Sequence, residues 1–413
     1  MDRRRVFITG LGLVSPHGSE PREVFERVWQ GESRIARVRS GSDDFGDDVL
    51  LACVDFDPGD TIPKVQRVFM ARAAQMAVVA SHGALSRAGL LEDDRGPAEA
   101  GVYMGCGLGG SEVLQDAYER YFVRRSRRGR PTTVPLIMAN GPTSHVSMRF
   151  GLRGPTHTYS VACASSTVSL GEAFRAVRDG YLDVAVAGGA EAMLNDASVA
   201  AWVRMGVLAS EHPDGPEASC RPFDKERSGF ALGEGASVLI LETEDRVAAR
   251  GIRPLAEVVG YGTASDAWNL TEPQATGQVA AMMGALRDAG VSTEMVGHIN
   301  AHATATQTGD PVEVEAISQV FGDRARAITV AATKAVHGHL LGAAGALEAS
   351  LTALALDEQR VPPTAHLHHP DPAFDLDFVP LEGRRTEGLE YALTNSFAFG
   401  GSNASVLLRR VQD

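Results

Sequence analysis

Four side chains in this sequence combine covalent and acid–base chemistry, and each stands where a short apolar run breaks into a turn. They are Cys163 in VACASS, His302 in NAHATAT, and Lys334 and His339 in ATKAVHGHLLGAAG. A thiol is a nucleophile, an imidazole moves protons or donates hydrogen bonds, and an ammonium group sets the local charge. Cys163 is the candidate nucleophile. The stretch THTYSVACASSTVSLGEAFRAVRDG predicts a strand that meets Cys163 and turns at once into a helix, with Val168, Ala173, Phe174 and Val177 at helical spacing and Gly180 as its stop. A helix start leaves N–H groups unpaired and carries partial positive charge, which favours a thiolate and offers donors to an oxyanion beside it. A free cysteine taken at random is more often a small buried hydrophobe. The strand, the sharp turn and the small-residue helix together outweigh that reading.

The elements that must hold these groups can be followed along the chain. Residues 5–14 predict a strand, Pro21 to Trp29 a short helix with proline at its first position, and Met70 to Ala88 a longer helix. Gly41 to Asp60 is polar and acidic and predicts a surface excursion. Gly101 to Met104, Leu182 to Ala187 and Ser237 to Leu241 are apolar on both alternations, as strands covered on both faces are. Beyond Arg250 the same grammar returns. Leu255 to Gly262 predicts a strand, Gly277 to Ala289 a helix, Gly297 to Ala301 a strand ending in His302, and Ile328 to Thr333 a strand reaching Lys334, followed by a helix through Leu356. Asp310, Pro311 and Glu313 predict a helix start with an N-cap, a first-position proline and a capping-box acid. The fold class expected is α/β, with two similar halves, 1–250 and 251–413, each bringing a reactive turn to a shared centre.

Composition narrows the function classes. The 413 residues bury a substantial core, and no apolar stretch approaches the roughly 18 to 20 residues that cross a bilayer. The start MDRRRVFITGLGLVSPHG has charge followed by apolar residues, but Gly10, Gly12 and Pro16 break the run and no small-residue cleavage site follows, so a strand is expected there and no signal peptide. A formal charge of −13 argues against general nucleic-acid binding. The four cysteines, Cys53, Cys106, Cys163 and Cys220, form no CxxC pair or zinc-ligand spacing, which fits a reducing cytoplasm and no metal centre. His366, His368 and His369 lie in a proline-bounded loop without a paired ligand motif and are expected to be solvated. Gly105, Gly107 and Gly110 satisfy GxGxxG, yet no βαβ unit with a suitably placed acid follows; these glycines are expected to let the backbone pass close to something. One basic stretch, YERYFVRRSRRGRP, stands out on this acidic chain and reads equally as a solvated loop or as a docking site for an acidic partner.

Taken together, the reactive turns, NSFAFGGSN at 395–403, FITGLGLVSPHG, RPFDKERSGFALGEGA and LLGAAGALE resemble the decarboxylating β-ketoacyl-acyl-carrier-protein synthases of the thiolase-like superfamily, in particular the elongating type II condensing enzymes of fatty acid and polyketide synthesis. The resemblance covers nearly the whole chain. It implies a thiolase-like fold of two pseudo-repeated α/β halves in a five-layered αβαβα core. It implies that Cys163 takes an acyl chain as a thioester, and that His302 and His339 bind the malonyl thioester, promote loss of carbon dioxide and stabilise the enolate that attacks the acyl-cysteine. Two neutral imidazole donors suit that task, because decarboxylation moves negative charge onto the thioester oxygen. By resemblance Lys334 pairs with Glu313 near His302. The backbone N–H groups of Cys163 and Phe399 form the oxyanion hole, and Phe399, beside Phe397, is the gate between the malonyl and acyl sites. Thr271, Thr304 and Thr306 match positions that contact the carrier's phosphopantetheine arm, and Leu108 and Trp202 match tunnel positions. Lys64, Arg67, Arg127 and Arg128 fall in regions resembling the surface that docks the acidic acyl carrier protein. No cofactor beyond that arm is implied. The expected assembly is a homodimer, or a heterodimer with a chain-length-factor-like subunit, formed through strands near the nucleophile, with Leu182 to Ala187 joining a continuous sheet.

Several positions depart from the commonest elongating enzymes. HAT replaces HGT at 302–304, and FAFGG replaces FGFGG at 397–401. Alanine disfavours positive φ and adds a methyl, so a stiffer gate and a locally smaller pocket are expected. Trp202, Leu108 and His337 point the same way, and Trp268-Asn269 stands in place of a Tyr-His pair. A specialised acyl substrate, a short or unsaturated polyketide chain, is therefore expected. A catalytically silent partner subunit would lack Cys163. Thiolases and priming condensing enzymes would carry a second cysteine or a Cys-His-Asn set.

Overall fold

Runs of residues buried on both faces build the centre of the molecule, and helices cover them. In the structure, a computed structural model, residues 3–39, 48–126 and 128–412 are described. The strands of the main sheet are β1 (Val6–Val14), β2 (Gly101–Gly105), β3 (Thr156–Tyr159), β4 (Val184–Glu191) and β5 (Gly235–Thr243), then β6 (Ala256–Ser265), β7 (Val296–Asn300), β8 (Thr329–Ala331), β9 (Tyr391–Ala398) and β10 (Ser402–Arg410). Their order across the sheet is β8-β7-β9-β10-β6-β1-β5-β4-β2-β3. Read outward from the middle, the strands before residue 250 run β1-β5-β4-β2-β3 and those after it β6-β10-β9-β7-β8, the same order with each number raised by five. The two sets meet where Val6 to Ile8 pair antiparallel with Ala256 to Val258.

Helices α1 (Arg72–Arg87), α2 (Ser165–Arg178), α3 (Ala275–Ala289), α4 (Gly309–Phe321) and α5 (Ala344–Glu358) complete the layering. α1 covers β1 and β5 on one outside, and α3, with α4 beside it, covers β6 and β10 on the other. Between the two β layers lie α2, against β4 and β2, and α5, against β9 and β5. The result is the α-β-α-β-α order. α5 is buried from Ala344 through Leu356, which explains a helix that is apolar or small on nearly every side. Thr167 Oγ1 of α2 meets Ser396 Oγ of β9 at 2.6 Å, tying the first half's central helix to the second half's strand. Close approach of helix to strand is made in the same way twice. A Cβ at Gly10 or Gly12 would sit 2.3 or 1.8 Å from carbonyls of α1, and one at Gly260 or Gly262 would sit 2.2 or 2.0 Å from carbonyls of α3.

Some expectations change. Within Leu182 to Ala187 the strand begins at Val184 as part of β4, which is hydrogen-bonded to β2 and to β5, so a sheet continued into another chain would pass through β2 and β3. The strand left at that end of the sheet is β3, just before the cysteine. In the acidic stretch, residues 40–47 lie outside the described residues, and Asp48–Ala52 forms a strand antiparallel to Ala36–Arg39 instead of an unstructured excursion. α4 is preceded by Thr308 and has no side-chain cap. Asp310 accepts instead from the backbone N–H of Phe223 at 2.9 Å, and Glu313 is drawn away to the His302 turn.

Candidate active site

Cys163, His302 and Lys334 each sit just beyond the end of a strand, because the strand fixes where the chain leaves the sheet and the turn that follows aims the side chain inward. After β3 the chain makes a single 3-10 turn, Ala162–Ala164, that runs directly into α2, so Cys163 lies in the first turn of one continuous helix. Ala162 before it is held at φ 48°, a strained value for a residue with a Cβ, and Ser165 braces the turn by accepting from Val161 N–H and donating to the Ala162 carbonyl. His302 follows β7, Lys334 follows β8, and His339 lies in the link to α5. Cys163 Sγ and one ring nitrogen from each of His302 and His339 lie within 4.8 Å of one another, and all three residues are buried. The two imidazole rings are 5.4 Å apart and nearly perpendicular.

The protonation of this trio follows from its surroundings. Burial, reinforced by the Lys334 cation, holds both imidazoles well below the usual histidine range, so they are neutral. His339 Nδ1 accepts from Leu341 N–H at 3.3 Å, which leaves the proton on Nε2, and that buried atom has no partner among the described residues. It is a donor without an acceptor. The expectation of a resting thiolate is not met: burial pushes the Cys163 thiol up to about 12, with Lys334 acting the other way. The thiol therefore keeps its proton until a neutral imidazole takes it.

The support for these groups also differs from the expected pairing. Lys334 is wholly buried; its Nζ donates to the His302 carbonyl at 2.6 Å and forms its ion pair with Glu348 of α5, not with Glu313. Burial holds the Glu348 carboxyl up at about 7 even with Lys334 against it. Glu313 instead braces the histidine turn, accepting from His302 N–H at 2.9 Å and Ala303 N–H at 2.7 Å. That clamp holds Ala303 at φ 20°, a conformation that a glycine would adopt without strain.

Two cavities meet at the thiol. One, of about 310 Å³, contains both imidazoles together with Thr271, Thr304 and Thr306; the other, of about 320 Å³, lies over Leu108, Met193 and Trp202. Cys163 and Phe399 border both, and Phe397 borders the first. The Trp202 ring lies almost parallel to Phe399 at 6.3 Å, edge-on to Phe230 at 5.8 Å, and Phe230 meets His339 at 5.1 Å. Ala398 ends β9 without positive φ, whereas Gly400 and Gly401 just after it lie at φ 86° and 71°. The alanine there adds bulk without strain. His337 does not narrow either cavity; it is buried and bonded to Thr333 Oγ1 and the Gly338 carbonyl. Asn269 lines the first cavity and folds its own loop, accepting from Thr271 N–H at 2.9 Å.

Three residues of the site were not singled out from the sequence. Glu348 lies in LLGAAGALE, where a lone acid in a helix of small apolar residues is the signal. Glu191 closes the apolar strand VAVAGGAE and accepts from Gly107 N–H at 2.7 Å; burial lifts its carboxyl to about 7. The Gly105 backbone passes so close to α2 that a Cβ would fall 2.3 Å from Ser166 N, so the GxGxxG glycines serve close packing and this carboxylate. Gln278 borders the first cavity and gives no pattern in sequence. On the surface, Lys64 is exposed, while the Arg67 guanidinium is turned inward onto the Ile62 and Gly59 carbonyls. Arg128 is exposed and Arg127 lies outside the described residues. His368 and His369 are exposed as expected, but His366 is half-buried.

Comparison with known proteins decides the kinship. The chain matches the beta-ketoacyl synthase N-terminal domain over residues 3–246 and the beta-ketoacyl synthase C-terminal domain over residues 255–368. It belongs to the β-ketoacyl synthase family. A 3-oxoacyl-[acyl-carrier-protein] synthase 2 of Staphylococcus aureus strain N315 is a β-ketoacyl synthase 37% identical over 412 residues, covering 99% of both chains. Among solved β-ketoacyl synthase structures, the ishigamide ketosynthase/chain length factor superposes with a TM-score of 0.92 at 34% identity, covering 99% of this chain and 100% of that one. A type II polyketide ketosynthase bound to its acyl carrier protein and a hexaketide superposes at 0.91 with 28% identity and the same coverage. This chain is thus an acyltransferase of the β-ketoacyl synthase family with the thiolase-like fold. No helix among the described residues is long and apolar enough to cross a membrane.

Proposed function

We propose that this enzyme extends an acyl chain by decarboxylative Claisen condensation with a malonyl thioester, both substrates arriving on an acyl carrier protein. The observation that carries the reading is the thiol and two neutral imidazoles within 4.8 Å of one another where two cavities join. Cys163 Sγ attacks the acyl thioester, its proton passes to an imidazole, and the carrier thiol leaves with a proton. The malonyl thioester then enters the cavity that holds His302 and His339. Its C–C bond to the carboxylate breaks, carbon dioxide leaves, and the electron pair moves onto the thioester oxygen, where Nε2–H of His339 stabilises it beside His302. The enolate carbon attacks the acyl-cysteine carbonyl, the new C–C bond forms, the C–S bond to Cys163 breaks, and the released thiolate takes up a proton from solvent to restore the thiol. Burial keeps the imidazoles neutral, reinforced by Lys334, which Glu348 holds in place. Backbone N–H groups of Cys163 and Phe399 receive the oxyanion, Phe399 gates the two cavities beside Phe397, and Thr271, Thr304 and Thr306 contact the arm. Each role is filled by a side chain or backbone group of this chain, so no cofactor beyond the phosphopantetheine arm is called for.

The acyl group is a specialised one, a short or unsaturated polyketide chain, because Trp202 and Leu108 limit the apolar cavity. The halves 1–250 and 251–413 act as two repeats, each supplying one side of the site, and the enzyme works in the cytoplasm. Its β3 edge and the exposed Tyr118, Tyr121 and Phe122 give a surface for a second copy or for a chain-length-factor-like subunit. By resemblance the carrier docks near Lys64, Arg67, Arg127 and Arg128; of these, Lys64 and Arg128 are exposed, while the Arg67 guanidinium is engaged by the Ile62 and Gly59 carbonyls. Reversing charge at Arg128 is expected to raise the KM for acyl carrier severalfold at low salt and not at high salt; an unchanged KM removes this surface from the docking site. Intact-mass analysis after incubation with acyl carriers of varied chain tests the main reading. Acylation at Cys163 for a narrow set of chains is expected, followed by discharge on adding malonyl carrier. Absence of acylation with every chain overturns it.

A further inference from the structure

One buried carboxamide on the wall of the histidine-bearing cavity has no partner. Gln278 stands in the first turns of α3, is 2% exposed, and borders the cavity together with His302, Thr304 and Phe397. Its Oε1 is closed off from solvent and accepts no hydrogen bond among the described residues. Helical spacing places it above Met282, whose sulfur meets Asn395 Nδ2 at 3.5 Å, so this face of α3 runs along the end of β9 that leads to Phe397. A buried amide left unpaired costs stability that an apolar residue of the same size would not. A glutamine offers an acceptor and two donors in one plane, which matches a secondary amide on both its C=O and its N–H sides. The phosphopantetheine arm carries secondary amides along its length and must pass through a channel to present its thioester to Cys163.

We propose that Gln278 is a positioning residue that pairs with an amide of the carrier's phosphopantetheine arm. This rests on the reading of the cavity as the arm's channel, and it adds to the threonines a buried group whose hydrogen-bonding capacity is otherwise unused. The arm's amide supplies what the protein interior withholds.

The test uses Gln278→Leu, which removes the amide and keeps the bulk, and three malonyl thioesters: of pantetheine, of N-acetylcysteamine, and of propanethiol, which has no amide. The expected result is a KM for malonyl-pantetheine raised about tenfold with kcat little changed, and an unaltered KM for the propyl thioester. A rise with N-acetylcysteamine as well assigns the amide nearer the thioester; no rise there assigns the outer one, and both support the pairing. An equal rise with the propyl thioester, or none with malonyl-pantetheine, overturns it. If the unaltered enzyme itself shows no preference for pantetheine over propyl, the channel reading fails and the pairing with it. If it shows that preference and Gln278→Leu keeps it, the assignment of Gln278 alone fails. Alkylation of Cys163 at the parental rate establishes that the variant is folded; should Gln278→Leu lose its thermal transition, Gln278→Met serves the same comparison.

Discussion

The two cavities that share Cys163 and Phe399 are nearly equal in size, about 310 and 320 Å³, and both are mostly apolar, but they bring different groups to the thiol. The first is walled mostly by the second half of the chain, with hydroxyls, the carboxamides of Asn269, Gln278 and Asn403, and both imidazoles. The second is walled mostly by the first half, with Leu108, Met193 and Trp202 over the single buried carboxyl of Glu191. Charge that develops during a reaction needs preorganised donors, whereas a chain that is merely held needs apolar surface of the right length. The division assigns chemistry to one side and selection to the other. Cys163 belongs to both because the nucleophile must be reached from each.

The strongest way to break this comparison is to remove the shared residue. Cys163→Ala should lower chain extension by at least about 10⁴-fold, as removal of a covalent nucleophile does, while malonyl decarboxylation continues because both imidazoles remain. Carbon dioxide release measured with labelled malonyl carrier checks it; loss of both activities would mean that the chemistry is not confined to the imidazole side. Next in size, His339→Ala should cost about 10² to 10³ in decarboxylation rate and leave acylation of Cys163 by a simple acyl thioester much less affected. An equal loss in both steps would show that His339 serves the thiol as much as the malonyl group.

A smaller effect sharpens the account of the thiol itself. With its proton held up to about pH 12 by burial, Cys163 in the free enzyme should alkylate with iodoacetamide at a rate that rises about tenfold per pH unit from pH 6 to 10. The sign follows because alkylation needs the thiolate, whose fraction grows with pH below the pKa. The imidazoles, neutral throughout that range, add no step of their own. A plateau below pH 8 would restore the thiolate that the helix start alone suggests.

Much of this arrangement was legible in the sequence, and for physical reasons. Strands covered on both faces give unbroken apolar runs, which is why the segments at 101–104 and 237–241 were readable, and reactive residues at their ends stand out against that background. The Cys163 turn was legible because small residues must follow it into a buried helix. What could not be read was partner choice. Lys334 is equally able to meet Glu313 or Glu348, and the choice falls to the packing of α5 against β9, which brings Glu348 to the ammonium while the His302 and Ala303 amides occupy Glu313. The edge strand β3, THTY, is half-exposed and polar and so gives no apolar run by which a sheet end could be read. The GLG of β1 and the GYG of β6 show their parallel only in the structure, where each lets a helix of small residues lie against the strand. Gln278 left no trace, because one polar residue at a helix start is unremarkable until the cavity beside it is seen.

The finest division of labour concerns Trp202. Its ring lies over Phe399 at 6.3 Å and against Phe230 at 5.8 Å, so it closes the apolar cavity from the side while also backing the gate. Replacing it with alanine should open room for a longer acyl chain, each newly housed methylene contributing about 0.8 kcal/mol, or about fourfold in kcat/KM for acyl transfer. The preferred chain should therefore lengthen in a panel of acyl carriers. Loosening the gate would act differently, because it would change passage of malonyl substrate as well. The two are separable in the Cys163→Ala background, where no acyl chain is held: adding Trp202→Ala there should leave malonyl decarboxylation unaltered if the tryptophan acts only as a wall. A changed decarboxylation rate would mean that selection and chemistry communicate through the Trp202–Phe399 stack, and the boundary between the two cavities would then be a moving part.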